Sequence, residues 1–182
     1  MKIKIYILIA ICLAAVSCVK EKLETLYSKQ DTQIDSYISK ARIVKHDSVE
    51  DTLDVVYNKG SVRLIKTEGT GPALEEDGAV SFYYAGYVFT SSPTSLFATN
   101  HQETATGAGF TLTDDEYQLF ETDMRNADMI EGLRNGLIGV KSGEVCEIAF
   151  SGKYGFGDEV FGTIPVNSAL LYKIWVVGDS NE

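Results

Sequence analysis

Two segments of alternating apolar residues limit the fold of this chain more strongly than any other feature of its sequence. Alternation places every second side chain on the same face of a β-strand. In residues 79–89, one face carries Val80, Phe82, Tyr84, Gly86 and Val88. Residues 169–177 are largely apolar on both faces, and one face carries Leu170, Tyr172, Ile174 and Val176. With shorter alternating segments at 61–65 and 144–150 and turn clusters at 68–72 and 76–78, the sequence predicts a β-rich domain.

One segment among the strands has the pattern of a helix. In residues 129–138, apolar side chains recur on one helical face, Asp128 stands where an N-cap belongs, and Gly139 is suited to a left-handed end. Gly132 and Gly136 each cost an isolated helix about 1 kcal/mol relative to alanine, so this helix is stable only when packed. We predict an α+β fold in which a strongly curved antiparallel β-sheet wraps around one short helix.

The first residues have the pattern of a secretory signal. Lys2 and Lys4 precede an apolar run over residues 5–16, which is shorter than a comfortable bilayer-spanning helix. The run ends in Ala15-Val16-Ser17-Cys18, which resembles the lipobox of bacterial lipoproteins. This resemblance implies a signal peptide over residues 1–17 and a lipid anchor on Cys18. Ordinary secretion without a lipid is the alternative.

A polar segment follows the expected anchor. Residues 18–59 are predicted to form a tether with an amphipathic helix, whose sparse apolar stripe comprises Leu23, Leu26, Tyr27, Ile34, Tyr37, Ile38 and Ala41. Such a helix packs on its own domain, remains a partly ordered tether, or forms a dimerisation arm; we favour the first two. The oligomeric state is not predicted. Val19 after the cysteine resembles an outer-membrane sorting pattern, so we expect a lipid-anchored protein of the cell envelope.

Composition excludes several classes of function. A formal net charge of −10 argues against a nucleic-acid partner, because phosphate binding requires a basic surface. Cys146, in an apolar strand pattern, is expected to be a buried small side chain rather than a nucleophile. His46 and His101 have no metal-ligand spacing. We therefore predict neither a metal nor a cofactor.

Several short motifs follow one another between residues 60 and 178. They include Gly69-x-Gly71-Pro72, Asp77-Gly78-Ala79-Val80, Val80-Ser81-Phe82-Tyr83-Tyr84-Ala85-Gly86, Met129-Ile130-Glu131-Gly132-Leu133, Lys141-Ser142-Gly143-Glu144, Tyr154-Gly155-Phe156-Gly157 and Ile164-Pro165. In this order and spacing they resemble the FK506-binding (FKBP) family of peptidyl-prolyl isomerases. The resemblance implies an isomerase domain over residues 60–179 that acts on proline-containing polypeptides and assists the folding of exported proteins.

The resemblance also implies a site. The residues expected to act directly on the substrate are Tyr84, Phe97, Phe156, Ile164 and Tyr172, with the backbone N–H of Ile164 as a donor to the substrate carbonyl. The residues expected to line the rest of the proline pocket are Phe110, Met129, Ile130 and Leu133. Phe97 is preferred to Phe89 for the pocket phenylalanine, because Phe89 lies too close in sequence to Gly86.

Three positions depart from the family pattern. Ala98 replaces an acidic residue, Phe156 replaces a tyrosine and Leu133 replaces a tryptophan. These departures favour a weak isomerase; the alternatives are a non-catalytic binding module or chaperone and, last, a structural lipoprotein that reuses the fold. The acidic segment 113–128 is an insertion, which we expect to be a flap over the pocket or a surface for clients.

Overall fold

The computed structural model describes residues 2–46, 49–111, 113–126 and 128–181. The helices are α1 (Lys2–Ala41), α2 (Gln102–Gly107) and α3 (Glu131–Leu137). The strands are β1 (Ile43–His46), β2 (Val49–Thr52), β3 (Val55–Asn58), β4 (Ser61–Thr67), β5 (Ala79–Phe89), β6 (Pro93–Thr99), β7 (Phe120–Asp123), β8 (Val145–Phe150) and β9 (Ala169–Ser180). Among the helices that the structure describes, none combines the length and the apolar character needed to span a bilayer.

The main sheet is antiparallel throughout and has the order β3-β4-β8-β9-β5-β6. Strand β7 pairs with the first residues of β5, on the edge that β6 leaves uncovered, and β1 and β2 form a separate hairpin. The two long alternating segments of the sequence become the central pair, β5 and β9, which run side by side from Ala79 and Ser180 to Phe89 and Ala169. The predicted α+β architecture is confirmed.

Helix α3 packs against one face of the sheet through its two glycines. A Cβ atom added to Gly132 would lie 2.3 Å from the ring of Phe150, and one added to Gly136 would lie 2.2 Å from Cγ2 of Ile148. The absence of side chains therefore allows the helix backbone to touch strand β8. The core around this contact contains Phe82, Leu133, Leu137, Cys146, Ile148, Phe150, Leu170, Tyr172, Ile174 and Val176.

The helix is shorter than the sequence predicted. It begins at Glu131 and ends at Leu137, and no side chain caps its N-terminus. Asp128 does not cap it, because the helix begins later than predicted and Ile130 occupies the N-cap position. The N–H of Asp128 donates to the side chain of Asn126 within the preceding turn. Gly139 has the expected left-handed conformation, with φ of 85°.

A buried arginine fixes the C-terminal end of α3. Arg63 of β4 donates from its guanidinium to the carbonyl oxygens of Gly136 (3.0 Å), Ile138 (2.8 Å) and Gly139 (3.1 Å). Its Nε lies 3.3 Å from a carboxylate oxygen of Glu144, which is also buried. Burial raises the pKa of Glu144, and the nearby Arg63 acts against that rise. The positive charge therefore meets both the negative end of the helix dipole and a carboxylate.

Helix α1 covers the opposite face of the sheet. Ile34 and Ile38 are almost fully buried there, in a second core with Val62, Leu64, Phe89, Ala149, Ala169 and Leu171. The hydroxyl of Tyr37 donates to Glu147 at 2.9 Å. The C-terminal part of α1 is thus packed on its own domain, as we favoured. This second core explains why β9 is apolar on both faces.

Two further sequence features have a place in the fold. Cys146 is buried, and burial raises the pKa of its thiol, so the expectation of a structural cysteine is confirmed. Trp175, the only tryptophan, stacks on the ring of His101 with centroids 3.9 Å apart and planes within 3° of parallel. This pair and Tyr83 lie on the sheet face opposite to α3.

We predict that Gly132→Ala lowers the free energy of unfolding by about 1–3 kcal/mol, because the added methyl group collides with Phe150. This loss outweighs the gain in helix propensity, which is about 1 kcal/mol. Gly107→Ala is the control, since it ends α2 with open space around it. Urea unfolding measures both variants. A Gly132→Ala protein as stable as wild type would show that the close contact is not required.

Candidate functional site

A cavity of about 480 Å³ opens between the sheet and the start of α3. Strands β5, β6, β7 and β9 contribute to its wall, together with the loop that carries Phe156 and Phe161. Its lining residues are Phe82, Tyr84, Phe97, Ala98, Phe120, Asn126, Asp128, Met129, Ile130, Leu133, Phe156, Phe161 and Tyr172. Most of these side chains are apolar or aromatic, which is typical of a small-molecule or side-chain binding site.

Three aromatic rings from neighbouring strands form one wall. Tyr84 and Tyr172 face each other across β5 and β9 with centroids 6.3 Å apart, and Phe97 of β6 meets Tyr172 edge-on at 5.7 Å. Gly86 makes this possible, because a Cβ there would lie 2.6 Å from the Phe97 ring. Phe89 lies in the second core beneath α1, so Phe97 lines the cavity and Phe89 does not.

The start of α3 forms another part of the lining. Met129, Ile130 and Leu133 all border the cavity, and Leu133 is 8% exposed. Their position follows from the glycine contact of α3 with β8, which fixes the helix against the sheet.

The remaining wall contains aromatic residues that the sequence did not predict as site residues. Phe120 of β7 pairs in register with Phe82, and its ring lies 6.1 Å from that of Tyr84 in an edge-on arrangement. Phe161 stacks on Phe156 with centroids 4.4 Å apart. Phe120 belongs to the 113–128 insertion, and so do Asn126 and Asp128. The apolar residues Tyr117, Leu119 and Phe120 among the acidic residues of this segment were the available signal for Phe120.

Seven of the nine predicted site residues line the cavity, and two do not. Phe110 follows α2, where its N–H donates to the carbonyl of Ala105 and its side chain is 42% exposed. Ile164 is buried in the core, and its N–H donates to the carbonyl of Phe161 at 3.0 Å. The expected backbone donor is therefore already occupied within a tight turn.

Two phenol hydroxyls are the polar groups of the aromatic wall. Neither Tyr84 nor Tyr172 has a hydrogen-bond partner for its hydroxyl in the described part of the chain. Burial raises the pKa of both phenols, so each hydroxyl keeps its proton and can donate. Ala98, Leu133 and Phe156, the three departures from the family pattern, all line the same cavity and supply no hydrogen-bonding group.

The arrangement suits a compact apolar group with a carbonyl beside it. The rings and the aliphatic side chains would enclose the apolar group, and a tyrosine hydroxyl would donate to the carbonyl. No group of three or more His, Cys, Asp or Glu residues comes close enough to hold a metal ion within residues 2–46, 49–111, 113–126 and 128–181.

Comparison with known proteins gives matches to a family model, to a protein of similar sequence and to solved structures. Residues 75–177 match the family model described as FKBP-type peptidyl-prolyl cis-trans isomerase. FK506-binding protein 1 of Aspergillus oryzae is 25% identical over 118 residues, which are 63% of this chain and 94% of that protein.

Two solved structures share the fold. A peptidyl-prolyl cis-trans isomerase of Pseudomonas syringae pv. tomato has a TM-score of 0.58 at 17% identity, covering 87% of this chain and 96% of that one. A multi-domain immunophilin of Arabidopsis thaliana has a TM-score of 0.56 at 20% identity. That match covers 75% of this chain and spans about half (47%) of the immunophilin. Because the family model covers more than half of its residues, this chain belongs to the FKBP-type peptidyl-prolyl cis-trans isomerase family.

Proposed function

We propose that this chain catalyses cis-trans isomerisation of Xaa-Pro bonds in polypeptide clients and that the aromatic cavity holds the proline ring. The observation that carries the proposal is the cavity itself, whose apolar wall includes two protonated phenol hydroxyls, those of Tyr84 and Tyr172, which have no hydrogen-bond partner among the described residues. Family membership supports the reaction type.

The chemistry needs neither a nucleophile nor a metal. Amide resonance gives the Xaa-Pro bond a rotation barrier of about 20 kcal/mol. The twisted amide of the transition state is less charge-separated than the planar amide, so transfer from water into an apolar cavity disfavours the planar form more. The wall of Phe97, Tyr172 and Leu133 provides that environment.

The proposed roles follow the positions of the side chains. Tyr172, Phe97, Met129, Ile130 and Leu133 enclose the proline ring, and the Tyr84 hydroxyl donates to the neighbouring carbonyl. Phe156 closes the cavity on the loop side. Phe120 takes the lining role that the sequence had given to Phe110, and Ile164 supports the loop from within the core.

A second candidate function is client binding without catalysis. Ala98, Leu133 and Phe156 remove polar and aromatic groups from the cavity without filling it, which favours binding of proline-containing chains over fast turnover. We accordingly propose weak activity, and a non-catalytic binding module or chaperone is the alternative.

We further propose that the protein assists the folding of exported proteins from a lipid anchor on Cys18. The support comes from the sequence: residues 1–17 have the pattern of a signal peptide, residues 18–59 link the anchor to the isomerase domain at 60–179, and the cell envelope, at the outer membrane, is the proposed location.

The proposed activity is tested with a proline-isomerisation assay on the full chain in mild detergent. We predict catalysis above background and a fall in kcat/KM of roughly tenfold or more in Tyr84→Ala, equivalent to about 1.4 kcal/mol or more. Tyr83→Ala is the matched control, because Tyr83 precedes it on β5 but faces away from the cavity. A folded wild-type chain without catalysis would move the conclusion to the binding module. Catalysis that Tyr84→Ala leaves unchanged would place the active site elsewhere.

Two phenylalanines allow a comparison between the sequence prediction and the structure. Phe110 and Phe120 are both 42% exposed, but only Phe120 lines the cavity. We predict that Phe120→Ala raises KM by about fivefold, corresponding to roughly 1 kcal/mol of lost apolar contact with the client. Phe110→Ala is expected to change KM by less than about twofold on the same basis. The reverse pattern would restore Phe110 to the site and remove Phe120 from it.

The anchor is tested by the intact mass of the protein purified from bacterial membranes. We predict a mature chain that begins at Cys18 and carries the added mass of acyl chains. Cys18→Ser is expected to abolish that added mass and to shift the protein out of the detergent phase, because lipidation supplies much of the affinity for the membrane. An unlipidated mature chain that begins at another residue would leave ordinary secretion as the explanation.

A further inference from the structure

The loop over residues 152–167 carries two aromatic residues of the cavity, Phe156 and Phe161. The two ends of this loop meet, because a Cβ added to Gly152 would lie 2.3 Å from the carbonyl oxygen of Asn167. The N–H of Asn167 also donates to the carbonyl of Gly157. The position of Phe156 and Phe161 therefore depends on how the base of the loop is held.

Side chains of helix α1 form hydrogen bonds to both ends of the loop, at Gly152 and at Asn167. The side-chain oxygen of Gln30 accepts a hydrogen bond from the N–H of Gly152 at 2.9 Å. The amide nitrogen of the same side chain donates to the carbonyl of Asn167 at 2.7 Å. One turn earlier, the hydroxyl of Tyr27 donates to the side-chain oxygen of Asn167 at 2.6 Å. Three hydrogen bonds thus join two residues of α1 to the two ends of the loop.

These hydrogen bonds offset two unfavourable features of the loop base, a buried N–H group and a left-handed backbone conformation. Gly152 is buried, so its N–H without Gln30 would lack a partner, and unpaired buried donors are unfavourable. Asn167 has a φ of 56°, a left-handed conformation that a residue other than glycine adopts at a cost. Its side chain and its carbonyl are both bonded to α1. The helix therefore stabilises the conformation that the loop base requires.

Helix α1 is held in place on the sheet by its own packing and by a hydrogen bond to β8. Ile34 and Ile38, which follow Gln30 by one and two turns, are 2% and 1% exposed in the second core. Tyr37 is bonded to Glu147 on β8 at 2.9 Å. Gln30 is the polar residue on an otherwise largely apolar packed face, and it lies where the loop base crosses that face.

We propose that Tyr27 and Gln30 are positioning residues for the cavity, which act by holding the loop that carries Phe156 and Phe161. Both lie outside residues 75–177, the part of the chain that the family model matches. The N-terminal helix thus contributes to the site by fixing the position of two of its lining residues. The proposal rests on the proposed function for its effect on catalysis, but its structural part is measurable without catalysis.

The test compares Gln30→Leu with Gln33→Leu in the full chain in mild detergent. Both changes replace an amide by an aliphatic group on the same helix, and the side chain of Gln33 makes no hydrogen bond to the described part of the chain. We expect backbone amide exchange in residues 152–167 to become about tenfold faster in Gln30→Leu, since two hydrogen bonds are lost. KM should rise by about three- to tenfold with little change in kcat, because the client must then order the loop. Gln33→Leu should change none of these.

The split between KM and kcat separates positioning from a merely structural effect. A variant that is only less stable has fewer folded molecules, so its apparent kcat falls while KM stays constant. Tyr27→Phe removes a single hydrogen bond and should move exchange and KM in the same direction by less; it decides the question if Gln30→Leu does not fold. Unchanged exchange in the loop, or faster exchange with unchanged KM, would overturn the proposal.

Failure of the proposed function gives a different result. A wild-type chain that neither isomerises nor binds a proline-containing peptide would refute that function. The exchange measurement then decides by itself whether α1 holds the loop. A chain that binds the peptide without turnover allows its Kd to replace KM in the same comparison.

Discussion

The contact between α3 and strand β8 is the constraint on which the other features of the site depend. Gly132 and Gly136 bring the helix backbone against Phe150 and Ile148, and Arg63 holds the helix end from beneath. The residues just before and within α3 then lie at a fixed distance from the rings on β5 and β9. A helix held further from the sheet by two methyl groups would displace that part of the cavity lining relative to its aromatic wall.

Each face of the sheet contributes to a hydrophobic core, and the second core links the N-terminal helix to the fold. Residues of α1 fill a core with side chains from β4, β5, β8 and β9, while α3 fills the other. Strand β9 is therefore apolar on both faces because one face packs in the core with α3 and the other in the core with α1. Helix α1 is accordingly an integral layer of the domain along its C-terminal part, and its hydrogen bonds to the loop base extend that role to the cavity.

The elements of the fold that could be predicted from the sequence are those in which apolar residues recur with a regular spacing. Alternation predicted β5 with its observed ends, and the two glycines predicted that α3 is stable only when packed, as it is against β8. Phe110 was predicted at the cavity and lies outside its lining, because loop lengths between β6 and α3 carry no periodic signal. Arg63 and Gln30 were missed for another reason. Each is a polar residue within an apolar pattern, and its partners are backbone groups far away in sequence.

The stacked pair of Trp175 and His101 has a consequence for spectroscopy. The only indole of the protein lies on the sheet face that points away from the cavity, against an imidazole at the start of α2. Its emission therefore reports the integrity of β9 and the position of α2, and the indole does not line the aromatic cavity. Binding would change the indole emission only indirectly, through the sheet or through energy transfer from Tyr84 and Tyr172, so the occupied state is better observed through a label on the ligand or on the loop.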